Sequence, residues 1–340
     1  MGIYRKIDVI ASQCSHWRGN PLQRSAQYRK GYISETYRGL HHRHSLRSHV
    51  GLCPPRNDMR YSIQHNKFRF YIRIDIPPDF SYNKKKKEFF TMAKMLVRAD
   101  DLGYSEAFNY GLARAVKSGI VRCVGVMPNM EWAEHGVNLL KDTDAILTVH
   151  ANICQGRPIT DPKLIPSLVD ENGFFKDKSL YREAKEDFVV LDEVVMEVEA
   201  QFLRLKELWG KTPFMVEAHA VPSNNFNKAL AIVNQKYGLK SMGFVPGRGP
   251  QIGKYIFKFS MDSGNADYNP FESFKKAALQ PMAEDEACLM VLHPGYVDEY
   301  VLTTSYITTQ RALEVAFAIN PEVPKWCAEN GVELITYADL

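Results

Sequence analysis

No apolar run in this 340-residue chain approaches the roughly 20 residues needed to cross a bilayer, so the sequence offers no transmembrane helix. The first twenty residues also lack the apolar centre, roughly 7–15 residues long, of a secretory signal. Cysteine is sparse. Cys14, Cys53, Cys123, Cys154, Cys288 and Cys327 form no CxxC pair and no dense cluster, and Cys123, Cys154 and Cys288 fall inside apolar strand-like runs. Buried free thiols in a reduced, cytoplasmic protein are the expectation. Hydrophobic residues make up 45% of the chain, enough for one large domain or two small ones.

The net charge of +4 conceals an asymmetry. Residues 1–91 hold 18 Lys and Arg against 6 Asp and Glu, a balance of +12. This leaves 25 basic and 33 acidic residues in the remainder, a balance of −8. Such a split points to a segment of separate character or origin. An acidic body argues against nucleic acid as its substrate.

Six of the ten histidines lie in the basic segment, clustered at His41-His42-Arg43-His44, and only Phe68 to Ile76 reads as a strand there. Three readings stand. One is a nucleic-acid-binding arm, although no recognisable module is present. Another is an organellar transit peptide. The third is untranslated leader: Lys84 to Met92 back-translates to an A-rich tract, AAGGAG, a T-rich spacer and a start codon, the layout of a bacterial ribosome-binding site. On that reading the protein starts near Met92. The expected organisation is therefore a non-globular basic segment over 1–91 and a globular domain over 92–340.

The body has only four histidines, and three occupy short polar motifs. His150 lies in Thr148-Val149-His150-Ala151-Asn152, His219 in Val216-Glu217-Ala218-His219-Ala220, and His293 in Leu292-His293-Pro294-Gly295. A fourth motif, Arg98-Ala99-Asp100-Asp101-Leu102-Gly103, sets two carboxylates at the end of an apolar strand. One carboxylate and two neutral imidazoles commonly hold a divalent metal with positions open for water and substrate. Each motif also has a plainer reading. Asp-Asp could cap a helix, His150 could be a satisfied core histidine, Glu217 and His219 could pair structurally, and His293 could stiffen a turn. His135 reads as a surface residue.

Apolar runs alternate with helical periodicity through the body. Strands are expected over Met95–Ala99, Val121–Met127, Ala145–Val149, Phe214–Val216 and Cys288–Leu292, with weaker ones at Ser241–Val245 and Lys254–Phe259 and a last one at Val332–Tyr337. Helices are expected over Ser105–Lys117, Trp132–Leu140, Phe188–Trp209, Phe226–Tyr237, Arg311–Ile319 and Pro324–Ala328. Residues 155–185, rich in Pro, Gly, Asp and Lys, form an insertion long enough to serve as a lid or substrate wall. This alternation implies an α/β fold: a distorted or incomplete (β/α) barrel with mostly parallel strands. Reactive groups then gather beyond the strands' C-terminal ends, where Asp100, Asp101, His150, His219 and His293 all fall.

In order, Arg98-Ala99-Asp100-Asp101-Leu102-Gly103, His150-X-Asn152, Glu217-Ala218-His219 and His293-Pro294-Gly295 resemble the YdjC-like family of carbohydrate deacetylases, from about Lys94 to Leu340. The resemblance implies a distorted (β/α) barrel that removes acetyl groups from N-acetylated sugars such as chito-oligosaccharides. It implies that Asp101, His150 and His219 bind one divalent metal, Mg2+ or Zn2+. Asp100 would be the base for the attacking water, and His293 the acid that protonates the departing amine. Asn152, Arg157 and Glu217 are the expected substrate-binding residues. Many members carry Asp-Ser-His-X-His, where this chain has Glu217-Ala218-His219-Ala220-Val221. The presumed ligand is retained while its surroundings differ, which points to a changed substrate rather than a lost activity. The expected partner is a small acetylated saccharide, with no membrane and no nucleic acid for the body; a homodimer is left open. Alternatives are a metal-dependent hydrolase or isomerase of another small polar molecule and a non-catalytic sugar-binding barrel. Phe174, Phe175, Tyr181, Tyr296 and Tyr300 are candidates to stack on sugar rings or simply to pack loops.

Overall fold

The computed structural model describes residues 8–11, 48–51, 58–65, 68–75 and 92–340 except 266, in two units divided between Glu88 and Phe89. The cluster at His41 to His44, the run Lys84 to Thr91, Cys14 and Cys53 lie outside the described residues.

In the first unit, β1 (Asp8–Ala11), β2 (Ser48–Gly51), β3 (Asp58–His65) and β4 (Phe68–Asp75) form an antiparallel sheet in the order β1-β4-β3-β2. β3 and β4 pair from Asp58 opposite Asp75 to His65 opposite Phe68. β4 alternates Phe68, Phe70, Ile72 and Ile74 with Arg69, Arg73 and Asp75, the period-two signal that singled it out. β3 alternates as well, with Met59, Tyr61 and Ile63 against Asp58, Arg60 and Ser62, whereas β1 and β2 have four residues each, too few to show the pattern.

The second unit begins with β5 (Ala93–Leu102), α1 (Glu106–Ser118), β6 (Cys123–Val126), α2 (Ala133–Leu140) and β7 (Ile146–Ala151). The insertion contributes α3 (Lys178–Glu183), followed by α4 (Leu191–Trp209), β8 (Val216–Ala218) and α5 (Asn224–Lys236). Three strands follow, β9 (Met242–Val245), β10 (Gly249–Ile252) and β11 (Tyr255–Ser260), then α6 (Pro270–Ala278) and β12 (Glu286–Leu292). The chain closes with α7 (Glu299–Thr304), α8 (Thr309–Ala318), α9 (Glu322–Asn330) and β13 (Val332–Ile335). Helix boundaries follow local chemistry. Ser105 caps α1 by accepting from Phe108 N, and Asn269 caps α6 with Pro270 at its first position.

These nine strands form one sheet in the order β8-β7-β6-β5-β12-β11-β10-β9, with β13 also pairing β5. All pairings are parallel except the β9–β10–β11 meander. Pleating sorts the two faces. Met95, Val97 and Ala99 of β5 pack outward with helix residues such as Phe108, Leu112, Phe202 and Phe226. Leu96 points inward and packs with Met215, Ile252, Phe257, Leu289, Val291 and Tyr337. Residues from both ends of the sheet thus meet in one inner cluster, so the sheet is curled. β8 and β9 do not pair, and a cavity of about 470 Å³ lies along that seam, lined by Met215, Met242, Phe244 and Phe259. The expected incomplete (β/α) barrel is what the chain forms.

The insertion is no loose flap. Ile165, Leu168, Phe175 and Tyr181 are buried in the outer core, and Tyr181 donates to Ile153 O at 2.6 Å. Buried Glu197 on α4 accepts from the backbone N–H of Ile159 and Thr160. Residues 155–185 therefore form a fixed wall. Among the described residues no helix is long and apolar enough to cross a membrane.

Candidate active site

The inner face carries apolar residues at the strand starts and charged ones at the strand ends. On β5 the alternation from Leu96 delivers Arg98 and Asp100 inward; on β7, Thr148 and His150; on β8, Glu217. His219 follows β8 and His293 follows β12. Asp101, next to Asp100, would face away in a regular strand. The register of β5 on β6 shifts between Ala99 and Leu102, and Asp101 takes a φ of 71°, left-handed and uncommon for a residue other than glycine. This bulge turns both carboxylates toward His150, at 3.8 Å from Asp100 Oδ2 and 3.6 Å from Asp101 Oδ1. The other positive φ of a non-glycine described residue is Ala220, at 51°. It lies in a tight turn closed by Val221 N to His219 O at 2.7 Å, immediately after the second histidine. Strain is concentrated where side chains must be aimed.

Asp101 Oδ1, His150 Nε2 and His219 Nδ1 converge at 3.6, 3.2 and 3.0 Å from one another. Ligands about 2.1 Å from an ion are roughly 3.0 Å apart at right angles and roughly 3.4 Å apart at the tetrahedral angle. Asp101 Oδ1 is buried and has no hydrogen-bond partner. The three donors thus fit a divalent ion in spacing, type and unsatisfied capacity. Burial drives His150 down to about 4, holding it in the neutral form a metal needs. Burial lowers His219 too, but the Asp101 carboxylate and Cys154 overcome this and raise it to about 10. A cation between these groups would take the place of the positive charge that Asp101 favours on His219.

Beneath this group Arg98 spans two carboxylates. Nη2 donates to Asp100 Oδ2 at 2.6 Å, Nη1 donates to Glu217 Oε2, and Nη1 also reaches Tyr337 Oη at 3.3 Å. Glu217 Oε1 accepts from Thr148 Oγ1 at 2.7 Å. Burial raises Glu217 to about 7 against the pull of Arg98, whereas for Asp100 the Arg98 charge and nearby histidines outweigh burial and hold it below the usual range. Asp100 is therefore ionised, with Oδ2 occupied and buried Oδ1 unpartnered. Space beside Oδ1 depends on Gly125 of β6, where an added Cβ would lie 2.6 Å from it.

His293 enters from the far side, close enough to lower both Asp100 and Asp101 electrostatically. Its N–H donates to Glu314 Oε2 at 2.6 Å, and α1 lies so close to its turn that a Cβ on Gly295 would come 2.0 Å from the Phe108 ring.

The expected substrate contacts take different places. Asn152 is fully buried, its amide donating to Asn129 Oδ1 and Gln155 O. Glu217 lies under the ligand group with Arg98. Arg157 is at the rim, stacked 3.8 Å over Phe174, beside a cleft of about 690 Å³ that also includes Tyr104, Trp132 and Tyr300. Phe175 and Tyr181 are buried packing residues, and Tyr296 accepts a hydrogen bond from Arg114. His135 is partly buried against Tyr110 and Trp132. Sequence reading left Arg98, Thr148, Tyr337, Arg311 and Glu314 without roles. Arg98 and Thr148 were findable, because each precedes a site residue by two on a strand and shares its face.

The family described as YdjC-like protein matches residues 94–329. The chain belongs to the YdjC-like family. This YdjC-like chain is 30% identical over 254 residues to a carbohydrate deacetylase of Geobacillus stearothermophilus, covering 72% of this chain and 97% of the relative. It is 28% identical over 264 residues to a chitooligosaccharide deacetylase of Proteus mirabilis (strain HI4320), covering 72% and 98%. Among solved structures, a protein from Enterococcus faecalis V583 described for cellobiose-phosphate cleavage superposes with a TM-score of 0.56 at 20% identity, over 73% of this chain and 98% of that one. That likeness shows a shared fold.

Proposed function

We propose that this protein is a metal-dependent carbohydrate deacetylase acting on small N-acetylated oligosaccharides of the chito-oligosaccharide class. The observation that carries the reading is the buried, unpartnered Asp101 Oδ1 facing two imidazole nitrogens at metal-ligand spacing. Asp101, His150 and His219 would hold the ion, and two imidazoles suit zinc better than magnesium. When bound, it supplies Lewis acidity toward an acetamide carbonyl and lowers the pKa of water.

The chain's own residues handle the protons. Arg98 fixes Asp100 Oδ2, leaving Oδ1 to take a proton from water as its oxygen bonds to the acetyl carbon. His293, on the opposite side, gives a proton to the nitrogen as the C–N bond breaks, so acetate and a free amine leave. The rim cleft beside Tyr104, Trp132 and Tyr300 suits the sugar rings, and the matched relatives named as deacetylases support the substrate class. A cytoplasmic setting is supported by the buried free thiols Cys123, Cys154, Cys288 and Cys327.

The test is acetate release from N,N'-diacetylchitobiose by the full-length protein. The expected result is release that stops with chelator and returns with added Zn2+ or Mg2+. Release indifferent to chelator would contradict the proposal.

A further inference from the structure

Two buried charges of α8 have no part in the scheme above, yet both reach the site. Arg311 and Glu314 are 3% and 0% exposed and one helical turn apart, so they share a face. Nη1 and Nη2 of Arg311 stand 3.4 and 3.5 Å from Asp101 Oδ2. Oδ2 is the oxygen opposite the one that meets the histidines. The guanidinium is itself pinned: Nε donates to Ile307 O at 2.9 Å, Nη2 donates to Ser305 Oγ at 3.1 Å, and the rings of Tyr104 and Phe108 pack against it. Glu314 accepts from His293 N at 2.6 Å and from Tyr268 Oη at 2.8 Å, while Arg311 O accepts from Gly295 N at 3.3 Å. One rigid helix thus grips a metal-ligand candidate at one point and the turn bearing the acid candidate at two.

We infer that Arg311 and Glu314 are positioning residues, Arg311 engaging Asp101 Oδ2 so that Oδ1 alone meets the ion, and Glu314 fixing the His293 turn relative to it. This rests on reading Asp101 as a ligand and His293 as the acid. A carboxylate free of Arg311 can rotate to offer both oxygens, changing the coordination number. A planar guanidinium held at four points prevents this better than a lysine ammonium.

Co2+ titration of the full-length protein tests the inference, because its visible band reports coordination number directly. The wild type should bind one Co2+. Arg311→Met should bind Co2+ with a shifted or weakened band, and its kcat should fall about 10–100-fold, with KM changed by less than roughly two-fold. Glu314→Gln should keep the wild-type band while kcat alone falls by a similar factor. Should Arg311→Met not fold, Arg311→Lys decides: the band should still shift, although the charge is kept. An unchanged band and unchanged kcat in a folded Arg311 variant would overturn the role of Arg311. A Glu314→Gln variant with wild-type kcat would overturn that of Glu314. A wild type that binds no Co2+ would remove the site reading and this inference together.

Discussion

Asp100 and Asp101 are adjacent, and ordinary pleating would send one inward and the other into the helix layer. The sequence made both visible as chemistry but carried no sign of the bulge that turns them the same way, because that distortion arises from how β5 registers on β6. Arg98 and Thr148, by contrast, were legible by parity, each two residues before a site residue on its strand. Gly125 was not legible at all, since its importance lies in what it leaves empty. Gly125→Ala would place a methyl 2.6 Å from Asp100 Oδ1. A displacement of about 1 Å at a reacting group can cost on the order of 10²-fold in rate. Acetate release should fall by about that factor in this variant, with the thermal midpoint changed little. Wild-type kcat would show that Oδ1 does not need that space.

At the scale of elements, the strong apolar runs gave their strands, from β5 through β8 and at β12. Three helices, α3, α6 and α7, fall outside the expected set. α3 and α7 are six residues each, too short for helical periodicity to accumulate, while α6 carries Phe274, Ala277 and Ala278 at helical spacing behind its Asn269-Pro270 start. β10 has the sequence Gly-Pro-Gln-Ile, so its place comes from pairing with β9 and β11 rather than from propensity. The insertion's anchoring on α4 carries its own prediction. Burial raises Glu197 above the ordinary glutamate value of 4.5, outweighing its hydrogen bonds. The folded protein therefore keeps a proton there that the unfolded chain releases. That contribution is whole below about pH 4.5 and is lost as pH rises through the higher folded value. Glu197→Gln cannot titrate, so the midpoint difference between variant and wild type should move in the variant's favour from pH 4.5 to pH 8. Thermal melts across that range check it, and a difference flat with pH would refute it.

For the whole molecule, the charge split between 1–91 and the remainder is plain in the composition. Among the described residues, the barrel's inner and outer clusters are drawn from residues 93–340. We propose that residues 92–340 suffice for the reaction, and that a protein beginning at Met92 will release acetate with the kcat of the full chain; a folded but inactive product would contradict this. The curl of the sheet was inferable from alternating strands and helices. The open seam between β8 and β9 was not, because it depends on an antiparallel meander ending the sheet. The proposed reaction requires one ion held by Asp101, His150 and His219. The direct measurement is metal content after dialysis against Zn2+ and then buffer, for wild type, His219→Ala and Asp101→Ala. The expected result is one ion per chain in the wild type and loss of it in both folded variants. Equal metal in all three proteins, or none in the wild type, would contradict it.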